Sequence, residues 1–111
     1  MTYTIYRLKD TDENAIISFM GSDLLRQYKH WPPKPEDYEP IWTEDLPDKD
    51  SIRLDFIYAR FNITPPADFH HYSMSVGDIV VMDGKNPGAY FCDSIGWKEL
   101  PDFYAAVTAT T

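Results

Sequence analysis

Two serines and an aspartate, Ser73, Ser75 and Asp78, are spaced closely enough to suggest a nucleophile with an acidic helper. A serine hydrolase also needs a base beside its nucleophile. The chain offers three histidines for that role: His30, His70 and His71. No Gly-x-Ser-x-Gly elbow is present, so we interpret residues 75–78 as a tight turn. A small hydrolase or ligand-binding protein using Ser75, Asp78 and His70 or His71 remains an alternative.

The pair His70-His71, with Asp68 just before it, raises the question of a metal site. Adjacent residues of an extended chain point to opposite faces, so both histidines cannot easily bind one ion. Asp68 and His70 could share a face, but two ligands do not complete a site. A third ligand would have to come from His30, Asp78 or Asp93, whose spacing gives no support. We therefore predict no metal site and no cofactor.

Cys92 is the one cysteine of the chain, which excludes an internal disulfide framework and a thiolate metal cluster. It lies within an apolar run, Ala89 to Cys92. A buried structural cysteine is more common in such a run than a nucleophile. We accordingly predict no catalytic residue.

The acidity of the chain excludes another class of function. The net charge is −8 and the pI is about 4.6. Such a protein repels phosphate backbones, so direct nucleic-acid binding is not expected. No apolar stretch approaches the roughly 18 residues that span a bilayer, and residues 1–7 lack the order of a signal peptide. We expect no membrane association and a cytoplasmic location.

Most of the excess charge is concentrated in one segment. Residues 36–50 contain seven acids against Lys49 alone, so this segment holds six of the eight excess negative charges. Aromatic residues are interleaved with the acids. One interpretation is a solvated loop whose aromatic side chains pack inward. The other is a docking surface for a basic protein, with the aromatic side chains as anchors. The candidate partner-binding residues are Trp31, Tyr38, Glu39, Trp42, Glu44, Asp45 and Asp48.

The charge density of this segment is too low for it to imitate a DNA duplex alone. Its fifteen residues would span about 50 Å if extended, or roughly 7 Å per carboxylate. One DNA strand carries a charge about every 3.4 Å. Additional carboxylates would have to come from elsewhere, such as Asp10, Asp12 and Glu13. Partial occlusion of a basic groove is therefore the better expectation.

The elements that must position these residues are predicted from local patterns. The alternation of side chains over residues 3–9 predicts a strand. Gly21-Ser22-Asp23 could cap a helix, which favours a short helix in the residues that follow. The apolar run 15–20 fits either a strand or a helix. Four prolines predict an irregular, proline-rich acidic connector over residues 32–50. Within it we expect a short extended piece around residues 41–43, at an edge of the sheet. An exposed edge there could pair across a dimer. Apolar residues at helical spacing predict the main helix near 51–61.

The C-terminal part has the pattern of a three-strand meander. Residues 79–82, 89–93 and 97–100 are predicted strands separated by glycine-containing turns. The small residues of the tail, 105–111, are expected to fray. The prediction is one α+β domain over residues 1–111, a small antiparallel sheet of the N-terminal strand and the meander, packed with one main helix.

Three stretches together resemble a known family. The first is residues 3–10, and the second is residues 57–62 together with 66–69. The third begins at residues 73–81 with the motif Ser-x-Ser-x-x-Asp and an apolar strand, and continues at residues 90–97 with the motif Tyr-x-x-Asp-Ser-x-Gly-Trp. This order resembles the YodL-like domain over nearly the whole chain. The resemblance implies a small module of Gram-positive bacteria, frequently carried on conjugative elements and phages, with no established enzymatic activity.

These observations favour a non-enzymatic interaction module of a mobile element. Its expected partner is a basic host protein that handles nucleic acid, such as a restriction or CRISPR nuclease. An alternative with the same surface is an interaction domain that acts on bacterial cytoskeletal or replication machinery. The sequence does not separate these two.

Overall fold

The computed structural model describes residues 1–46, 54–84 and 87–109. Within them the chain forms five strands, four α-helices and a short 3₁₀ turn at Pro35–Asp37. The strands are β1 (Thr2–Leu8), β2 (Tyr38–Asp45), β3 (Ile79–Met82), β4 (Gly88–Cys92) and β5 (Trp97–Glu99). The helices are α1 (Asp12–Ala15), α2 (Ser22–Gln27), α3 (Leu54–Ile63) and α4 (Pro101–Thr108).

The strands form one antiparallel sheet in the order β2-β1-β3-β4-β5. Burial alternates along β1, whose Tyr3, Ile5 and Arg7 are buried while the residues between them are partly exposed. Both faces of β3 are buried because its four residues, Ile79 to Met82, are all apolar. The predicted α+β class, the N-terminal strand and the C-terminal meander are confirmed.

The sheet separates two apolar clusters. One cluster contains Ile57 and Phe61 of α3 with Tyr3 and Val80 of the sheet. The other contains Leu25 of α2 and Phe103 of α4 with buried residues of β3 and β4. Helices therefore cover both faces of the sheet. The main helix predicted near 51–61 is observed as Leu54–Ile63, and residues 51–53 lie outside the described residues.

The connector predicted over residues 32–50 needs correction, because residues 38–45 form the full edge strand β2. It pairs with β1 along its whole length, from Thr2 with Asp45 to Leu8 with Tyr38. Pro40 is tolerated because the strand lies at the sheet edge and the register shifts beside it. Long-range pairing with β1 thus overrides the local proline signal.

Two further predictions change in the C-terminal tail and in the run 15–20. The tail does not fray at residue 105, because α4 continues to Thr108 with Phe103 buried and Val107 packed against the same cluster. Helix α1 ends at Ala15, and residues 16–19 form turns rather than a strand or further helix. Ile17 is the buried residue of that turn segment.

Candidate functional site

A bulge in β2 decides where the aromatic residues of the predicted docking segment point. Ile5 pairs with Trp42 and Tyr6 pairs with Pro40, so Ile41 is the extra residue on β2. In a regular strand, residues four apart share a face. The bulge instead places Tyr38 and Trp42 in the clusters on opposite faces of the sheet.

Tyr38 and Trp31 belong to the cluster under α4. Tyr38 is 6% exposed, and its ring lies 5.6 Å from that of Phe103 in an edge-to-face contact. Trp31 is half-buried, with its ring 5.1 Å from that of Phe91. The anchor role predicted for Tyr38 is therefore corrected, since its ring is part of the core.

Trp42 and Glu44 face the other cluster. The Trp42 ring is half-buried and contacts Phe69 at a centroid distance of 5.6 Å. A Glu44 carboxylate oxygen accepts a hydrogen bond from the Tyr3 hydroxyl at 2.6 Å, and the other pairs with Arg60 at 2.8 Å. Burial and the Glu44 carboxylate raise the pKa of Tyr3. Both predicted residues thus serve the packing of α3 against the sheet.

The remaining predicted residues are the acids without an aromatic partner. Glu39 and Asp45 are exposed, and Asp45 accepts a hydrogen bond from the Thr2 hydroxyl. Asp48 lies outside the described residues. Among the described residues, Trp31 and Tyr38 therefore lie on the face of the sheet opposite to Trp42 and Glu44, so the three aromatic residues do not form one surface.

The structure assembles a different negative surface from two segments distant in sequence. The Lys9 amide donates to the Asp37 carbonyl at 2.9 Å. The Asn14 side-chain amide donates to the Lys9 carbonyl at 3.0 Å and lies 3.4 Å from the Asp37 carbonyl oxygen. These bonds hold the turn before α1 against the 3₁₀ turn before β2. We call the resulting set the acidic patch: Asp10, Asp12, Glu13, Glu36, Asp37 and Glu39.

The acidic patch is exposed and carries a net negative charge. Five of its six carboxylates are on exposed residues, and Asp37 is half-buried. Lys9 and Lys34 are the lysines within or beside the two segments. Sequence reasoning named Asp10, Asp12 and Glu13 as a needed supplement, but it did not identify Asn14 as the residue that joins the segments. Asn14 is 9% exposed within the otherwise exposed helix α1, and this burial becomes visible only in the structure.

The serine and aspartate of the hydrolase alternative have other partners. Asp78 is 3% exposed and binds the Arg7 guanidinium at 2.9 Å and 2.7 Å. It also accepts from the Ser75 amide, while the Ser75 hydroxyl donates to the Ser73 carbonyl. Burial raises the pKa of Asp78, and the hydrogen bonds from Arg7 oppose that effect. Within the described part of the chain, the hydrogen bonds of Ser75 and Asp78 involve no histidine.

All three histidines of the chain are exposed residues. The His71 ring packs against Phe69 at 5.5 Å, and His30 and His70 are exposed. Over residues 1–46, 54–84 and 87–109, no three His, Cys, Asp or Glu side chains are grouped so that they could bind a metal ion. The hydrogen bonds of Asp78 described above are those of a structural carboxylate.

Cys92 is expected to be inert toward thiol reagents in the folded protein. It is 4% exposed, and burial raises its pKa to about 12, so almost no thiolate is present at neutral pH. We expect labelling by iodoacetamide to proceed only after unfolding, as followed by mass spectrometry with and without denaturant. Rapid labelling of the native protein would contradict the position of Cys92 in β4.

Asp93 connects the turn after β4 to the start of α2. Its carboxylate accepts from the Ser22 amide at 2.9 Å and from the Ser22 hydroxyl at 2.5 Å. A β-carbon on Gly21 would lie 2.8 Å from the same carboxylate, so the close approach requires glycine. Burial raises the pKa of Asp93, but the hydrogen bonds from Ser22 and Ser94 outweigh it and the net shift is downward.

The lowered pKa of Asp93 predicts a loss of stability in acid. The contribution is complete above the ordinary value of 3.8 and disappears as the pH falls through the lower value of the folded state. We expect Asp93→Asn to reduce the free energy of unfolding by about 1–2 kcal/mol at neutral pH. The difference from the wild type should shrink toward pH 2 in urea titrations. A difference independent of pH would contradict an ionised Asp93.

A family model described as the YodL-like domain matches residues 2–103. The chain belongs to the YodL-like domain family. No curated protein and no solved structure matched the chain.

The YodL-like match includes both aspartates of the sequence motifs. In this YodL-like domain, Asp78 binds Arg7 of β1 and Asp93 binds the start of α2, so the motifs maintain the fold. Among the described helices of this YodL-like domain, none combines the length and apolar character needed to cross a bilayer. The acidic patch is the feature that this structural use of the motifs leaves unexplained.

Proposed function

We propose that this YodL-like domain is a non-enzymatic protein-interaction module of a mobile genetic element. In this proposal it inhibits a basic host defence protein that handles nucleic acid, such as a CRISPR or restriction nuclease. The acidic patch is the surface that binds. The proposal places the protein in the cytoplasm of the bacterial host, where such nucleases act.

The observation that supports this proposal is the joining of two acidic segments through Asn14. These hydrogen bonds place the two segments side by side, so their six carboxylates have a higher density than one extended segment provides. Such a surface steers a basic partner toward the complex and covers part of its nucleic-acid groove. Inhibition then follows from competition with the phosphate backbone for the same lysines and arginines.

The test is an interference assay in cells that carry a defined CRISPR or restriction system. Expression of the wild-type chain is expected to restore phage plating or plasmid transformation by at least about ten-fold. A triple charge reversal in the acidic patch, Glu36→Lys, Asp37→Lys and Glu39→Lys, is expected to abolish the effect. The matched control reverses three exposed acids outside the patch, Asp68, Glu99 and Asp102.

Full defence in the presence of the wild-type chain, across the systems tested, would contradict the proposed partner class. Inhibition that survives the patch reversal would contradict the assigned surface. Thermal unfolding of both triple variants must show that they remain folded. Because the control carries the same change in net charge, a difference between the two reports position rather than charge.

A further inference from the structure

A cleft of about 390 Å³ adjoins the acidic patch, between the turn of α1 and the first residues of β2. Its apolar lining consists of Leu8, Ala15, Phe19, Ile41, Tyr72 and Val76. Asp10 and Glu39 of the acidic patch also line it, together with Lys9 and His71 and the buried pair of Arg7 and Asp78. The size is within the range of pockets that receive a side chain with its adjoining backbone.

Phe19 has a conformation and an exposure that packing does not explain. Its φ is 64°, in the left-handed region that favours glycine. Its side chain is 59% exposed and contacts the ring of Tyr72, itself 55% exposed, at 5.8 Å. A strained backbone that presents an aromatic ring to solvent is a feature of binding sites more than of cores.

The chain binds its own arginines with the same combination of groups. The Arg7 guanidinium carbon lies 3.7 Å from the centre of the Tyr72 ring, and the group pairs with Asp78. A second guanidinium, of Arg26, lies 4.9 Å from the centre of the Trp31 ring. Aromatic rings attract a guanidinium at such distances, and a carboxylate completes its hydrogen bonding. Arg7 occupies the Tyr72 and Asp78 side of the cleft, whereas the exposed Phe19 ring and the carboxylates of Asp10 and Glu39 line its remaining part.

We infer that the cleft binds an arginine side chain of the basic partner. The incoming guanidinium packs on the exposed ring of Phe19, beside the Tyr72 ring that Arg7 already covers on one face. It pairs with the carboxylates of Asp10 and Glu39. Lys9 offsets one of these two charges, which leaves the rim net negative. Arginine fits better than lysine because its planar group both stacks and pairs in a bidentate manner. The inference rests on the proposed function only in that the partner is basic.

The test is an NMR titration of the full chain, labelled with ¹⁵N, with acetylated and amidated tri-arginine. Tri-citrulline is the matched control, since it has nearly the same shape and lacks the charge. Tri-lysine keeps the charge and lacks the planar group. We expect amide shifts centred on Phe19, Ile41 and Tyr72, with tri-arginine binding at least about five-fold more tightly than tri-lysine.

Two substitutions test the assignment within the cleft. Phe19→Gly relieves the left-handed backbone and removes the ring, so we expect weaker tri-arginine binding with no loss of thermal stability. Glu39→Gln removes a carboxylate of the cleft and is expected to weaken binding at least about three-fold. The matched control is Glu36→Gln, which changes the same charge in the acidic patch outside the cleft and should retain binding.

Equal binding of tri-citrulline, or unchanged binding by Phe19→Gly, would overturn the inference. Shifts spread over the acidic patch with no centre at the cleft would overturn it as well. No nuclease is present in this experiment, so the absence of tri-arginine binding would not contradict a positive result in the interference assay. Conversely, tri-arginine binding in the cleft together with full host defence would contradict the proposed function alone.

Discussion

Replacing Arg7 with alanine is expected to lower the free energy of unfolding by about 3–5 kcal/mol. Arg7 is 6% exposed, and its guanidinium binds Asp78 and the carbonyl oxygens of Tyr72 and Ser73. The substitution leaves the Asp78 carboxylate buried without its counter-charge. It also releases the segment 72–78 from β1, because all four hydrogen bonds of the guanidinium end there.

Urea unfolding measures this effect, and Arg26→Ala is the control. Arg26 is also paired and stacked on an aromatic ring, but its side chain is half exposed and Asp23 is fully exposed at 3.5 Å. Exposed pairs of this kind contribute about 1 kcal/mol or less. Similar losses for the two substitutions would contradict a structural role for the Arg7–Asp78 pair.

Tyr38→Ala is expected to cost about 3–5 kcal/mol of stability, as large aromatic truncations in cores do. The Tyr38 ring packs edge-to-face on Phe103 and lies in the cluster that attaches α4 to the sheet. Burial raises the pKa of its hydroxyl, in agreement with a core position. The loss should appear in urea unfolding as a lower midpoint.

Glu39→Ala is the natural comparison for Tyr38→Ala, because the two residues are adjacent in β2. Glu39 is exposed, and its truncation should change stability by no more than about 0.5 kcal/mol. The two substitutions are expected to differ in their effect on stability because adjacent residues of a strand point to opposite faces of the sheet. If Tyr38→Ala left stability unchanged and abolished partner binding, Tyr38 would be a docking anchor after all.

Elements with a strong local pattern could be predicted from the sequence. The alternation in β1 and the apolar run of β3 identify strands without tertiary information, and Leu54, Ile57 and Phe61 have the spacing of α3. The glycine-containing turns around β4 then define the meander. Each of these signals lies within about ten residues of the element it predicts.

The rest of the fold depends on pairs that are distant in sequence. β2 forms because β1 is available to pair with it, and its bulge at Ile41 separates Tyr38 from Trp42. The division of the aromatic residues between two faces was not predicted for this reason, since a segment read alone does not show which face each ring takes. The acidic patch likewise needs the bonds from Asn14 to Lys9 and Asp37.

The most direct test of the acidic patch is its association rate with a purified nuclease that the wild-type chain inhibits. The rate constant is measured for the wild type and the patch reversal at about 50 mM and about 500 mM salt. The wild-type value should fall ten-fold or more at high salt, and the reversal should be slow at both. Equal rates for the two proteins, with the same weak dependence on salt, would contradict the acidic patch as the binding surface.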